Sequence, residues 1–505
     1  MFINRVSPQD IVKHRIEAEY YSPEKMAQLS ALSNLYEKWK SLDDLCEFIT
    51  DGTHQTPNYT DKGIKFLSST NIGENQIDFE KTKFVSEGSY LELKRTKCSP
   101  IIGDILISKN GKVGTASVYK EGHPEVGLFV SVALLRYNAK LDSDYVCVFL
   151  NSFGGQWQFK RAAKTGVITN LHLEEIREVN IPVLDSKSQQ YIGEKVRQAE
   201  QLRAWAISLE LNFEDQLKSF YPEAFKNKST GKKYSIAPIE DVSYTLNPGA
   251  FDEERLRIRL YLKKCGAVKL KELAHIEGST RSDYSQDTTY IGLDSISSKT
   301  CALSPSTISK SGVTGTSRIL NEGVVVAKLR PYLNKISYIP RSLAGSVGST
   351  ELLCIRPKDR LNGWYIYGVL KSDIGLRQLK PLASGSTHPR IDQYDLYDLI
   401  FPVHQDNKTM GKWLENAQAA YFMASYLVTS AKTLVEALIE GQLTEEQLIQ
   451  AQQALEDGDN TLDKAILSKL SSEGYAVEGA APLFSDIDEL YRLLASATPA
   501  ADSED

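Results

Sequence analysis

Residues 186–221 read SKSQQYIGEKVRQAEQLRAWAISLELNFEDQLKSFY, and this stretch decides how the rest of the chain is organised. Ile192, Val196, Ala199, Leu202, Ala206, Leu209, Phe213, Leu217 and Phe220 follow one another at steps of three or four. A helix turns once per 3.6 residues, so this spacing gathers them on one narrow seam, the pattern of a helix laid along another long helix. Residues 405–441 repeat it with Met410, Trp413, Ala417, Ala420, Ala424, Leu427, Ala431, Leu434 and Leu438. Neither stretch has an internal proline to break it. At 1.5 Å per residue each would span roughly 50 Å. Two helices of that length, each following a strand-rich segment, predict a paired spacer; two ordinary core helices are the alternative.

Outward from the helices, the texture changes to short β-prone runs separated by Gly, Asn, Asp and Pro. Residues 63–67, 104–108, 116–119 and 128–135 read as strands of a mixed sheet. Residues 144–152 and 156–163 read as helices, and 222–240 as a polar, basic linker. The arrangement then returns at an offset of about 220 residues. Leu42-Asp-Asp-Leu45 is echoed by Leu270-Lys-Glu-Leu273, and Gly103-Asp-Ile-Leu-Ile-Ser-Lys109 by Glu322-Gly-Val-Val-Val-Ala-Lys328. Ala133-Leu-Leu-Arg136 is echoed by Leu352-Leu-Cys-Ile-Arg356, and Ile181-Pro-Val183 by Phe401-Pro-Val403. Landmarks that keep their order and spacing indicate an internal duplication. The expected fold class is α+β. The expected division is a first strand-rich domain over 1–183, a first long helix with linker over 184–235, a second domain over 236–403, a second long helix over 404–440 and an acidic helical extension over 441–505.

Composition narrows the function classes. The charged fraction of 25% and hydrophobic fraction of 41% are those of a soluble globular chain. No uninterrupted apolar run approaches a membrane span of about 18 residues, and residues 1–10 lack the apolar core of a secretion signal, so a cytoplasmic location is expected. Six scattered cysteines without a C-x-x-C pair point to reduced, packed thiols and away from zinc. The net charge of -6 is unevenly placed. Residues 440–505 hold 15 acidic and 3 basic side chains, which leaves the first 439 residues with a net charge of +6. A basic body is compatible with nucleic acid. The tail is expected to be a solvated appendage or a protein-docking element. Thr444-Glu-Glu-Gln447 and Ser485-Asp-Ile-Asp488 carry helix-capping spacing there.

No phosphate loop, no G-x-G-x-x-G and no Asn/Asp-Pro-Pro-Tyr/Phe tetrapeptide is present. Glu92-Leu-Lys94, with Asp78 upstream, fits part of a nuclease metal site, a spacing also common on any charged helix or strand. Each half does offer loops that mix basic and small polar residues with Gly and aromatics. In the first half these are Ser69, Thr70, Asn71, Lys109, Asn110, Lys112, Lys160, Arg161, Lys164 and Asn170. In the second they are Lys328, Arg330, Tyr332, Asn334, Lys335, Ser384, His388 and Arg390. Lys and Arg neutralise phosphates, while Asn, Arg, Ser and Thr hydrogen-bond base edges. The alternative for these loops is solvated turns.

With those residues in hand, the chain over about residues 15–440 resembles the specificity (S) subunit of type I restriction-modification systems. The resemblance is carried by Asp51-Gly-Thr-His54, Thr56-Pro57, Phe66-Leu67, Asn71-Ile72, Gly103-Asp-Ile-Leu106, Gly111 to Gly114, Leu150-Asn-Ser152, Asn170-Leu171 and Ile181-Pro182. The second half keeps Gly323, Lys328-Leu-Arg-Pro331, Ser384-Gly-Ser386 and Phe401-Pro402, and departs after Pro402. The resemblance implies a non-catalytic subunit with two recognition domains, each reading one half of a bipartite double-stranded DNA target. It implies an antiparallel helix pair between them, with Ile192, Ala199, Leu202, Leu209, Phe213, Ala417, Ala424, Leu427 and Leu434 on its seam. It also implies two docked methyltransferase (M) subunits and leaves open whether restriction (R) subunits join them, with the S-adenosylmethionine and ATP/Mg sites absent here carried by these partner subunits. A metal-dependent nuclease and a protein-only coiled-coil scaffold are the alternatives from other classes.

Overall fold

The computed structural model describes residues 39–137, 141–163, 169–226, 245–358 and 361–498, with a few isolated positions besides. The chain forms two compact units. The first comprises Met1–Gln201 with Met423–Asp505, and the second Leu202–Phe422. These limits fall inside both long helices rather than at their ends, because each helix gives one half to each unit.

The first long helix, Ser186–Phe220, starts where the Asp185 carboxylate accepts the Lys187 N–H at 2.8 Å and stops before Pro222, which cannot continue it. The second, Asn407–Ile439, closes at Gly441, whose φ of 71° permits the left-handed turn that lets the Gln442 N–H reach the Ala437 carbonyl at 2.9 Å. Ile192, Ala199, Leu202, Leu209, Phe213, Ala417, Ala424, Leu427 and Leu434 are all buried. Each large side chain among them stabilises the fold by about 2 kcal/mol. Within the second unit the helical halves run antiparallel. Tyr421 Oη donates to Glu210 at 3.2 Å, and ten residues on Phe220 stacks on His404 with ring centroids 3.6 Å apart. The second helix has a mean hydropathy of 1.3 over its most apolar 18 residues, enough by length and composition to cross a membrane, and 67% of that window is buried inside the protein as in a core helix.

The two units repeat one plan. In the first, a sheet runs in the order Cys46–Asp51, Val132–Tyr137, Ile105–Ser108, Ala116–Val118, all antiparallel. In the second the order is Ala274–Glu277, Leu352–Pro357, Gly323–Ala327, Ile336–Ile339, again all antiparallel. Each unit adds a second sheet containing one parallel pair: Val126–Leu128 beside Ile64–Leu67, and Ser346–Gly348 beside Thr289–Ile291. Helices Ser143–Asn151 and Phe153–Ala162 correspond to Gly363–Lys371 and Asp373–Leu379. The apolar run 128–135, expected as one strand, is two. A tight turn in which the Val132 N–H meets the Phe129 carbonyl at 2.9 Å passes the chain from one sheet to the other. Burial on both faces had erased the alternation that would mark the break.

Carboxylates of the long helices tie the repeats reciprocally. Glu436 accepts the Phe153 N–H at 2.9 Å in the first unit, and Glu214 accepts the Asp373 N–H at 3.3 Å in the second. Phe153 and Asp373 open equivalent helices, so each domain is capped by the long helix of the other repeat.

The tail departs from expectation. It folds as helices Glu445–Glu456, Thr461–Leu467 and Ile487–Ala497, and it packs within the first unit rather than standing in solvent. Thr444 and Gln447 form the expected capping box, whereas the last helix is capped by Asp486 and not Ser485. Lys195 Nζ lies 2.7 Å from Asp463 Oδ1 with both side chains fully buried, and the Tyr191 and Tyr491 hydroxyls donate to the same carboxylate. All six cysteines are free thiols.

Candidate nucleic-acid interface

In the first unit the loops at one end of the sheet converge. The Lys109 N–H donates to the Ser131 carbonyl at 2.9 Å, and the Lys109 carbonyl accepts from Leu171 at 3.0 Å. Ser131 Oγ accepts the Ser69 N–H at 3.0 Å, and Asn110 pairs with Asn170. Strand Cys46–Asp51 ends here in Gly52, where a Cβ would lie 2.2 Å from the Leu128 carbonyl oxygen, so only glycine lets the chain pass. The next residues are pinned by the Thr53 N–H to the Leu128 carbonyl and the Val130 N–H to the Thr53 carbonyl. One edge thus gathers Ser69, Thr70, Asn110, Lys112 and Asn170.

Two predicted contacts on this edge turn inward. Lys109 Nζ sits 2.5 Å from Asp51 Oδ2, and both side chains are nearly buried. Asn71 is buried, its Oδ1 accepting the Ser68 N–H and its Nδ2 donating to the Asp78 and Lys81 carbonyls. These residues shape the loops instead of presenting groups to a ligand. Lys112 is exposed and pairs with Glu74 at 2.9 Å. Burial works against the Glu74 charge, yet Lys112 and Lys432 hold its carboxyl below the usual range. Lys160 lies exposed on helix Phe153–Ala162, and the Arg161 guanidinium lies 5.9 Å from the Trp157 ring centroid. Lys164 lies outside the described residues. Sequence reasoning passed over His54 and Gln55, both exposed on the same edge, with His54 Nε2 at 3.3 Å from Asp51 Oδ1. Their signal was the loop that must follow Gly52.

The second unit rebuilds the edge with different side chains. The Lys328 N–H donates to the Glu351 carbonyl at 2.8 Å, its carbonyl accepts from Ile391 at 3.1 Å, and Leu329 pairs with Arg390. These bonds reproduce those of Lys109, Ser131, Leu171, Asn110 and Asn170. In strand register Gly278 takes the place of Asp51, so the carboxylate that draws Lys109 inward has no counterpart beside Lys328. Arg330 and Asn334 stand at φ 49° and 51°, left-handed values costly for residues with a Cβ, and they flank the turn Pro331–Leu333 that pushes out Tyr332. The Arg330 N–H donates to the Pro389 carbonyl at 2.8 Å. Reciprocal bonds of 3.0 and 2.8 Å between Ser384 and Arg390 close the hairpin carrying exposed His388. The Arg390 guanidinium meets Glu351 at 3.1 Å. Lys335 is a further correction: its ammonium donates to the Leu293 and Ile296 carbonyls, both at 2.7 Å. Asn334 Nδ2 likewise turns back to the Lys371 carbonyl at 3.4 Å.

The outward groups of the second edge are therefore Tyr332, Ser384, His388 and Arg390, with Arg330 half-buried beside them and its guanidinium donating to the Thr387 carbonyl at 3.4 Å. Chemically, a guanidinium can bind phosphate or the O6/N7 edge of guanine, and a tyrosine ring can stack on a base. Of the residues of the nuclease alternative, Glu92 accepts from Nε and Nη2 of Arg95, Lys94 pairs with Glu125 at 3.2 Å, and Asp78 accepts the Glu80 N–H. Among the described residues no three His, Cys, Asp or Glu side chains converge as a metal site. Substituting Lys109 by methionine is expected to take from Asp51 its buried partner, leaving only exposed His54 beside it, and to lower the melting temperature by a few degrees, whereas Lys328→Met leaves it unchanged; thermal denaturation of the two variants checks this.

No family model and no curated protein matches the sequence. Solved structures from type I restriction-modification systems are similar to it. The S subunit from M. genitalium aligns over 82% of this chain and 95% of its own, at 13% identity and TM-score 0.38. The HsdS subunit from Thermoanaerobacter tengcongensis aligns over 80% and 97%, at 11% identity and TM-score 0.25. A chain from a structure of the assembly and conformational transition of the type I system aligns over 80% and 98%, at 12% identity and TM-score 0.27.

Proposed function

We propose that this chain is the DNA sequence-specificity subunit of a type I restriction-modification complex and is itself non-catalytic. The observation that carries the reading is the pair of equivalent loop edges. They share one backbone hydrogen-bond scheme and present unlike side chains: His54, Gln55, Thr70 and Lys112 on one, Arg330, Tyr332, His388 and Arg390 on the other. Equivalent backbones give two half-site readers. Unlike side chains give an asymmetric target. The long helices, which run from one unit into the other, then set the distance between half-sites.

On this reading methyltransferase subunits dock on the chain, bring S-adenosylmethionine, and take the target adenine out of the duplex into their own pocket. ATP and magnesium belong to the partners. Co-expression with the methyltransferase subunit, followed by mapping of methylated adenine, is expected to yield one bipartite motif that vanishes when either chain is omitted. A stable complex that methylates no motif would favour a protein-only scaffold. Removing two turns from each long helix shortens it by about 11 Å, close to the rise of three base pairs. The mapped motif is then expected to keep both half-sites and change its spacer.

A further inference from the structure

We propose that the long helices position the two loop edges as well as space them, and that they do so crosswise. Lys432, on the helix of the second repeat, sets the edge of the first unit, and Glu210, on the helix of the first repeat, sets that of the second. The assignment rests on the specificity reading above and adds residues that govern specificity through the loops they hold.

In the first unit, Glu74 stands on the tight turn between strands Ile72–Gly73 and Gln76–Ile77, directly after the Ser69–Asn71 turn of the edge. Asn75 holds this turn at φ 52°, and its N–H donates to the Ala116 carbonyl at 3.0 Å. The Glu74 carboxylate is gripped from both sides, with Lys432 3.0 Å from Oε2 and Lys112 2.9 Å from Oε1. Lys112 rides on a loop, whereas Lys432 stands on a helix anchored by buried Ala431, Leu434 and Val435. The anchored cation places the carboxylate, and the carboxylate places Lys112. Lys432 also offsets the Glu74 charge, which would otherwise compete with phosphate for Lys112. One helical turn on, Glu436 caps helix Phe153–Ala162, whose Gln156 donates to the Gly114 carbonyl of the Lys112 loop at 2.8 Å.

The second unit repeats the device with the charges exchanged. Glu210 meets Lys371 at 2.5 Å and accepts from Tyr421 at 3.2 Å. The Lys371 carbonyl accepts from Asn334, the left-handed residue that closes the turn bearing Tyr332. One helical turn on, Glu214 caps helix Asp373–Leu379, on which the Pro331–Leu333 turn packs. Each long helix thus presents a strut and a cap on one face, and together they carry the loop that follows strand Ile105–Ser108 or its counterpart Gly323–Ala327.

The test uses the complex of the intact chain with its methyltransferase subunit, and duplexes bearing the mapped target with single-base changes in one half-site or the other. Lys432→Gln should lower discrimination in the first half-site by roughly tenfold, the worth of one well-placed base contact, and leave the second unchanged. Ion pairs as exposed as those of Glu74 contribute little to folding, so the melting temperature should hold. Lys432→Arg should retain discrimination. Glu210→Met, Lys371→Met and Tyr421→Phe together replace a nearly buried polar group whole, and should affect only the second half-site. No change with Lys432→Gln, an effect on the second half-site or equally on both, or the same loss with Lys432→Arg would each overturn the proposal alone. A native complex that discriminates at neither half-site would overturn the specificity reading, and the proposal with it.

Discussion

Replacing Arg330 and Arg390 together with alanine is expected to weaken target binding by the assembled complex by roughly 30- to 20 000-fold. Each guanidinium that meets a phosphate or guanine edge contributes about 1–3 kcal/mol, and the two stand on loops joined by the Arg330 N–H to Pro389 bond. Arg390 now meets Glu351 at the surface, and an exposed pair of that kind contributes little to folding. Loss of affinity should therefore come without loss of stability. If either guanidinium meets phosphate, the slope of log affinity against log salt should also fall by about one per lost contact. Fluorescence-polarisation titrations at several salt concentrations measure both quantities, and thermal melts establish that the variant is folded.

Asp463→Asn is expected to destabilise the first unit by about 3–5 kcal/mol, because it leaves the Lys195 ammonium buried without its counter-charge. Denaturant unfolding reads the loss, and limited proteolysis should release the tail first. Lys195→Met combined with Asp463→Leu, Tyr191→Phe and Tyr491→Phe should recover most of the stability, since a buried polar cluster replaced whole by apolar groups of similar size is often neutral. The pair also sets a response to acid. Burial alone would raise the Asp463 pKa, but Lys195 and the bonds from Lys195, Tyr191 and Tyr491 hold it below the ordinary value. A depressed pKa stabilises the fold fully above the unfolded value of about 3.9, and that contribution is lost as pH falls below it towards the folded value. Tail release measured against pH should accordingly begin below about pH 4 in the intact protein.

Helical periodicity made the long helices legible, since Ile192 to Leu217 and Met410 to Leu438 carry their own phase whatever surrounds them. The duplication was legible for a related reason: Gly103–Lys109 and Gly323–Lys328 must both make a central strand and turn at the same loop. What the sequence withheld was pairing across distance. Lys109 reads as a solvent-facing cation until Asp51 is placed beside it, and Lys335 until its ammonium is found on two backbone carbonyls. The tail misled for the same reason. Fifteen acidic residues in the stretch that ends the chain suggest solvation, and one of them, Asp463, meets a lysine 268 positions earlier in a buried site. His54 and Gln55 were signalled only by the glycine before them, Gly52, whose close approach to Leu128 puts them on the edge.

The most direct test of the two-reader account is an exchange confined to one edge. Arg330, Tyr332, His388 and Arg390 would be replaced together with a different set of polar residues, leaving the Lys328 and Ser384 backbone bonds in place. Methylated adenines would then be mapped in cells that also carry the methyltransferase subunit. The account predicts a motif whose first half-site and spacer are unchanged and whose second half-site is altered or relaxed. An unchanged motif, or one altered in both halves, would contradict it.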